Sequence, residues 1–148
     1  MPTMTAFAER TEDGKLRIDG QCHCGRVRYD AIVDPDRVTL CHCTDCQTLT
    51  GTAFRTTVLA RRGEMTIEGE PRVYEKHGDS GGRRLQHFCG DCGSPLFTSG
   101  EGASADLWGI RWGSIRQRAL LTPTRQIWRR SAPKWTCGFE ETPASATE

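Results

Sequence analysis

The grouping of cysteine limits what this chain can become more than any other feature. Seven of its eight cysteines fall into three tight sets: Cys22-His23-Cys24, Cys41-His42-Cys43-Thr44-Asp45-Cys46, and Cys89-Gly90-Asp91-Cys92. Isolated cysteines act as small buried hydrophobes, whereas sets at these spacings are ligand sets. In Cys-x-x-Cys, one tight turn presents both sulfurs to a tetrahedral ion. Gly93, directly after Cys92, tolerates the positive φ such turns need. In Cys-x-Cys the chain is extended, so residues i and i+2 face one side and both thiolates reach one metal. Cys137 stands alone and reads as a free thiol.

Disulfides are the competing use of these thiols, and the N-terminal region argues against them. Residues 1–20 carry Glu9, Glu12 and Asp13 and lack the apolar run of an export signal. No apolar run approaches the roughly 18 residues that cross a bilayer. The expectation is a soluble, cytoplasmic chain, held where disulfides are rare. A hydrophobic content of 36% is lean for 148 residues, so metal binding is the natural supplement to the core. The 20 basic and 19 acidic residues nearly cancel, which argues against nucleic-acid or membrane-surface partners.

Glycine, proline and aspartate clusters recur every eight to twelve residues, for instance at Gly20, Asp34-Pro35-Asp36, Gly51, Gly63 and Gly69. That rhythm predicts short strands. Arg26–Ala31 and Arg72–Glu75 alternate polar and apolar residues, while Ala53–Leu59, Glu64–Ile67, Arg84–Phe88 and Leu107–Trp112 are rich in β-branched or aromatic residues. Thr44–Thr50 reads as a short helix with Thr44 as its N-cap, and Ser114–Leu121 as a weaker one. The expected organisation is one mostly-β domain over residues 15–141, with a flexible leader (1–14) and a disordered tail (142–148).

Counting sulfurs narrows the metal sites. Two pairs complete one closed four-thiolate site, and three thiolates remain. If Cys41, Cys43 and Cys46 stay together, their metal keeps a vacant fourth position, and Cys22, Cys24, Cys89 and Cys92 form the closed site. The alternative joins Cys43 and Cys46 to Cys89 and Cys92, leaving Cys22, Cys24 and Cys41. Spacing leaves both open, and the compact triplet is favoured because one short segment delivers three ligands without closing a long loop. Thiolate-rich tetrahedral sites in small β domains usually carry zinc, and sulfur spacing alone leaves iron open as the alternative.

Three ordered stretches also carry a resemblance. Gly20–Tyr29, Cys41–Gly51 and His87–Phe97, with Tyr74-Glu75-Lys76 and the later Pro123, Trp128 and Pro133-Lys134-Trp135, resemble the glutathione-dependent formaldehyde-activating enzyme family, which includes the centromere-protein-V-like proteins. The resemblance spans about residues 18–136. It implies a single domain of several coiled antiparallel sheets, of the β-tent type, pinned by two zinc–thiolate sites. It also implies that Cys22, Cys24, Cys89 and Cys92 hold a structural zinc, while Cys41, Cys43 and Cys46 hold a catalytic one. The implied activity is that of a carbon–sulfur lyase joining glutathione and formaldehyde as S-hydroxymethylglutathione. The chain departs from the family at Gln47, where arginine is common, at Gln126, where a late histidine stands, and at Gly113-Ser114-Ile115-Arg116.

Three thiolates on Zn²⁺ leave a formal charge of −1, so a bound water ionises less readily there than beside neutral histidines. The ion stays thiophilic, and the expected partners are a small thiol such as glutathione and a small aldehyde. His42 and His23, between ligands in extended chain, are expected to point away from the metal. Asp45 is a possible base but reads first as an exposed turn carboxylate, and His87 as a plain strand residue. Arg61-Arg62 and Arg83-Arg84 are candidates for the substrate's carboxylates. Trp108, Trp112, Trp128 and Trp135 read as core. The alternative to a lyase is a non-catalytic zinc module in which the second ion only stabilises an interaction surface.

Overall fold

The computed structural model describes residues 8–79 and 81–148. Eight strands and one helix follow in the order β1 (Leu16–Gln21), β2 (Arg28–Cys41), α1 (Thr44–Thr50), β3 (Arg55–Glu68), β4 (Arg72–His77), β5 (Arg83–Phe88), β6 (Pro95–Ser99), β7 (Leu107–Arg111) and β8 (Arg125–Ile127). The protein is mostly β, as the punctuation of the chain predicts. Its strands join in one hydrogen-bonded sheet ordered β1-β2-β3-β7-β6-β5-β4, antiparallel throughout, with β8 added parallel to β2.

Alternation explains the pairing. Leu16, Ile18 and Gly20 of β1 face inward, and Tyr29, Ala31 and Val33 of β2 are buried beside them. The core continues through Val58, Leu96, Phe97 and Ile110. Tyr29 and Phe97 meet edge to face, with centroids 4.9 Å apart, an arrangement aromatic quadrupoles favour.

Several expectations change in detail. Asp34-Pro35-Asp36 and Gly63 do not end strands, because β2 and β3 run through them. The β2–β3 register shifts between Val33 and Val38 instead, and a bulge is where proline is tolerated in a sheet. Ser114–Leu121 is not a helix: 3₁₀ turns at Trp112–Ser114 and Arg118–Leu120 flank a buried Ile115 that bridges Gly20. Trp108 and Trp112 pack against the core as expected, but Trp128 and Trp135 are exposed. Residues 1–7 of the expected leader lie outside the described residues. Within 8–14, Thr11 closes a turn with Lys15, and the Glu9 carbonyl accepts from the Arg17 amide at 2.9 Å. Among the described residues, no helix is long and apolar enough to cross a membrane.

Candidate metal centre

All eight cysteines are free, and seven gather in two clusters: Cys22 with Cys24, Cys89 and Cys92, and Cys41 with Cys43 and Cys46. Within each cluster the sulfurs lie within 4.8 Å of one another. The alternative grouping of Cys43 and Cys46 with Cys89 and Cys92 is not the one the chain adopts.

Two turns build the four-sulfur cluster. The Cys22 amide donates to the Val27 carbonyl at 3.0 Å, closing a loop past Gly25 (φ 78°). The Cys89 amide donates to the Ser94 carbonyl at 3.0 Å, and Gly93 has the expected positive φ of 77°. Cys22 and Cys89 are buried, while Cys24 and Cys92 are exposed. Sulfur separations are 3.6 Å for Cys22–Cys24 and 3.7 Å for Cys24–Cys89. Four thiolates at the usual Zn–S distance of about 2.3 Å form a tetrahedron with edges of about 3.8 Å, so the sulfurs already stand at ligand spacing. The Ser94 hydroxyl, 3.2 Å from the Cys92 sulfur, is the main reason that thiol is held down to about 5.

The three-sulfur cluster straddles the junction of β2 and α1. Cys41 ends β2 and pairs with Arg55, the first residue of β3. Cys43, rather than the expected Thr44, caps α1: its sulfur accepts from the Cys46 amide at 3.3 Å. Gly51 ends the helix in the left-handed region. The hydrogen bond shared with Cys46 lowers the Cys41 thiol to about 5, and the same contact pushes Cys46 far up. One sulfur ionises and its neighbour keeps the proton, because adjacent thiolates repel. A cation among them removes that conflict, so the donor set fits a thiophilic metal. Among the described residues, no fourth Cys, His, Asp or Glu joins this cluster. Cys137 is engaged elsewhere, with its sulfur 3.3 Å from Arg129 Nη2.

His42 is 2% exposed and its Nε2 meets Gln126 Oε1 at 2.8 Å, while the exposed His23 donates its amide to Ser94 Oγ at 2.9 Å. Gln47 Nε2 donates to the His42 carbonyl at 2.9 Å and the Ser131 carbonyl at 3.0 Å. Two of the departures from the family pattern, Gln47 and Gln126, therefore both bind His42. Asp45 pairs with Lys76 at 2.8 Å. His87 is buried, stacks near Trp108 and bonds Ser99 Oγ at 3.0 Å, with burial lowering its basicity first and the charges of Arg111 and Arg62 next.

Three of the four arginines expected to receive substrate are occupied: Arg61 pairs with Asp106 at 3.0 Å, Arg83 with Glu75 at 3.0 Å, and Arg62 donates to the Met65 carbonyl, which leaves Arg84. Two others, Arg55 and Arg111, are buried beside the three-sulfur cluster and line cavities of about 540 and 380 Å³. Sequence reasoning missed them. The only signal was a charged residue inside each of two otherwise apolar or β-branched stretches, Ala53–Leu59 and Leu107–Trp112.

Fold and site together define a class: a mostly-β domain in which two cysteine clusters, one of four sulfurs and one of three, could each hold a metal ion. The chain belongs to the glutathione-dependent formaldehyde-activating enzyme family, whose sequence profile matches residues 17–131. A crystal structure of a Rhodobacter sphaeroides protein superposes with a TM-score of 0.57 at 17% identity, covering 73% of this chain and 98% of that one, a likeness of fold. Among curated proteins no sequence matches the chain significantly.

Proposed function

We propose that this protein is a zinc-dependent carbon–sulfur lyase that handles adducts of a thiol with a small aldehyde, in the cytoplasm, with glutathione and formaldehyde as the pair the family points to. In the synthetic direction a sulfur–carbon bond forms, the aldehyde C=O opens, and the thiol proton ends on the new hydroxyl. In the reverse direction the same bond breaks.

The carrying observation is the three-sulfur cluster, which no fourth Cys, His, Asp or Glu joins among the described residues, linked through Arg55 to a cavity of about 540 Å³. Cys41, Cys43 and Cys46 would hold the catalytic zinc; Cys22, Cys24, Cys89 and Cys92 would hold a structural one. Zinc held by three thiolates supplies a thiophilic position that keeps a bound cosubstrate sulfur deprotonated near neutrality. The rest falls to the protein. Arg55, opposite Cys41 in the β2–β3 pairing, also lines the cavity and so joins the two. Confinement of both reactants there turns a bimolecular encounter into an oriented one, which lowers the entropic part of the barrier.

The test is Cys43→Ser in the metal-loaded protein. The expected result is loss of one metal equivalent, a circular dichroism spectrum like that of the unmodified protein, and no thiol- and aldehyde-dependent turnover. Full turnover in the variant overturns the reading. Two bound metals without turnover of any thiol–aldehyde pair would make the protein a non-catalytic zinc module.

A further inference from the structure

A buried guanidinium needs a countercharge, since desolvation without one is expensive. Arg55 and Arg111 are 7% and 8% exposed. Among the described residues neither forms an ion pair with a carboxylate. They share a neutral acceptor instead: Gln86 Oε1 takes Arg55 Nη1 at 3.1 Å and Arg111 Nη2 at 2.8 Å. Gln86 is steadied by Thr98 Oγ1 at 3.3 Å, and Arg111 Nη1 also donates to Thr57 Oγ1 at 2.7 Å. Arg55 Nε is buried with no partner. Two like charges thus meet in the interior at one shared amide oxygen.

Burial presses Arg111 below the ordinary guanidinium range and the charge of Arg55 presses the same way, while Cys46 and Cys41 pull against them. Among the described residues these cysteines are the acidic groups beside the two arginines. Three thiolates on a divalent ion carry a net −1, which balances one guanidinium and leaves the other in excess. Both arginines face the two cavities, which meet along Arg55, Pro95 and Arg111.

We propose that Arg55 and Arg111, braced by Gln86, form a carboxylate-binding site where the two cavities meet, and that it anchors a carboxylate of the thiol cosubstrate while the sulfur lies toward the Cys41 cluster. The planar guanidinium fork matches a carboxylate, and both arginines line the two cavities that would admit one. The site deepens the proposed function and rests on it for the identity of the thiol, but not for the binding of the anion.

The experiment uses the metal-loaded protein and follows the fluorescence of Trp112, which lines the larger cavity, checked by calorimetry. The probes are S-methylglutathione, which keeps both carboxylates and has no free thiol, its dimethyl ester, and glutathione dimethyl ester. S-methylglutathione is expected to bind, and its dimethyl ester to bind about tenfold more weakly or worse, the equivalent of one charge-assisted hydrogen bond. Arg111→Gln and Arg55→Lys should each remove that difference. Arg111→Gln should also leave the ligand-free protein at least as heat-stable, since it relieves a buried like-charge pair.

Equal affinity for S-methylglutathione and its ester in the unmodified protein overturns the site, and that comparison stands even if a variant fails to fold. If Arg111→Gln weakens only glutathione dimethyl ester, the arginines balance the thiolate and the carboxylate assignment is wrong. Carboxylate-dependent binding without turnover would sink the lyase reading and leave this site intact.

Discussion

His42 Nε2 lies 2.8 Å from Gln126 Oε1, beside the parallel pairing of β2 with β8. Leu40 pairs with Gln126 and Cys41 with Ile127, and the His42 amide donates to the Ile127 carbonyl at 3.1 Å. A late three-residue strand therefore clamps the segment that carries the three-sulfur cluster. Among the described residues His42 Nδ1 is buried without a partner, and Nε2 makes the ring's hydrogen bond. Gln126→Ala removes it. The expected cost is about 1–3 kcal/mol in urea unfolding, with faster metal loss to a chromophoric chelator. Gln47→Ala, which frees the His42 carbonyl, should combine with it non-additively because the two act on one residue. Strictly additive effects would show that the two glutamines do not work through His42.

The clusters should part under chelation. A four-thiolate site is coordinatively closed, whereas a three-thiolate site admits an incoming ligand. One metal equivalent is expected to leave early, with near-ultraviolet circular dichroism unchanged. The second should leave slowly and take the tertiary signal with it, because Cys22 at the end of β1 and Cys89 after β5 join distant parts of the chain. Cys89→Ser should reproduce the second phase, and Cys43→Ser should delete the first. A single phase in which both metals and the fold are lost together would contradict this division of labour.

What was legible in the sequence was mostly local. Sulfur spacing marks the ligand sets, Gly93 marks the turn that needs positive φ, and Thr44–Thr50 is helical as its residues predict. The cap was misread by one residue, since a thiol can take the place of a hydroxyl as acceptor for the Cys46 amide. Other features depend on partners far along the chain. Strand β8 has three residues and exists because Gln126 meets Leu40. Asp34-Pro35-Asp36 looks like a strand end but is a bulge, because pairing resumes at Val38 with Val58. Arg55 and Arg111 read as ordinary charges until Gln86, on a third strand, brings them together.

Gly20 marks a close approach that no side chain fits. A Cβ there would overlap the Tyr29 hydroxyl and the Ser114 carbonyl. Those two residues are already tied, Tyr29 Oη to Ser114 Oγ at 2.6 Å. Gly20→Ala must push apart β1 and the 3₁₀ turn at Trp112–Ser114, at an expected cost of about 1–3 kcal/mol. Tyr29→Leu removes both Tyr29 atoms that crowd the position, the hydroxyl and the ring carbon Cζ, so the double variant should be less destabilised than the sum of the singles. Urea unfolding of the metal-loaded proteins reads this directly, and a simple sum would place the strain on the Ser114 backbone alone.

Asp19 gives the fold an acid limit whose direction follows from its partners. Burial alone would raise its pKa, but Oδ1 accepts from Arg116 Nη2 and Gln117 Nε2, each at 2.6 Å, and the net effect is a carboxyl below its ordinary value. A group depressed in the folded state stabilises fully above its unfolded pKa of about 3.9, and that contribution disappears as pH falls through the folded value. The side chain is 35% exposed, so screening limits the gain. Asp19→Asn is expected to cost about 1 kcal/mol at pH 7. The gap to the unmodified protein should hold steady down to about pH 4.5 and then close as the carboxyl of the unmodified protein takes up its proton. Metal release in acid affects both proteins and drops out of the difference. A gap that narrows between pH 7 and pH 5, where the carboxyl stays ionised, would mean that another group sets the acid limit.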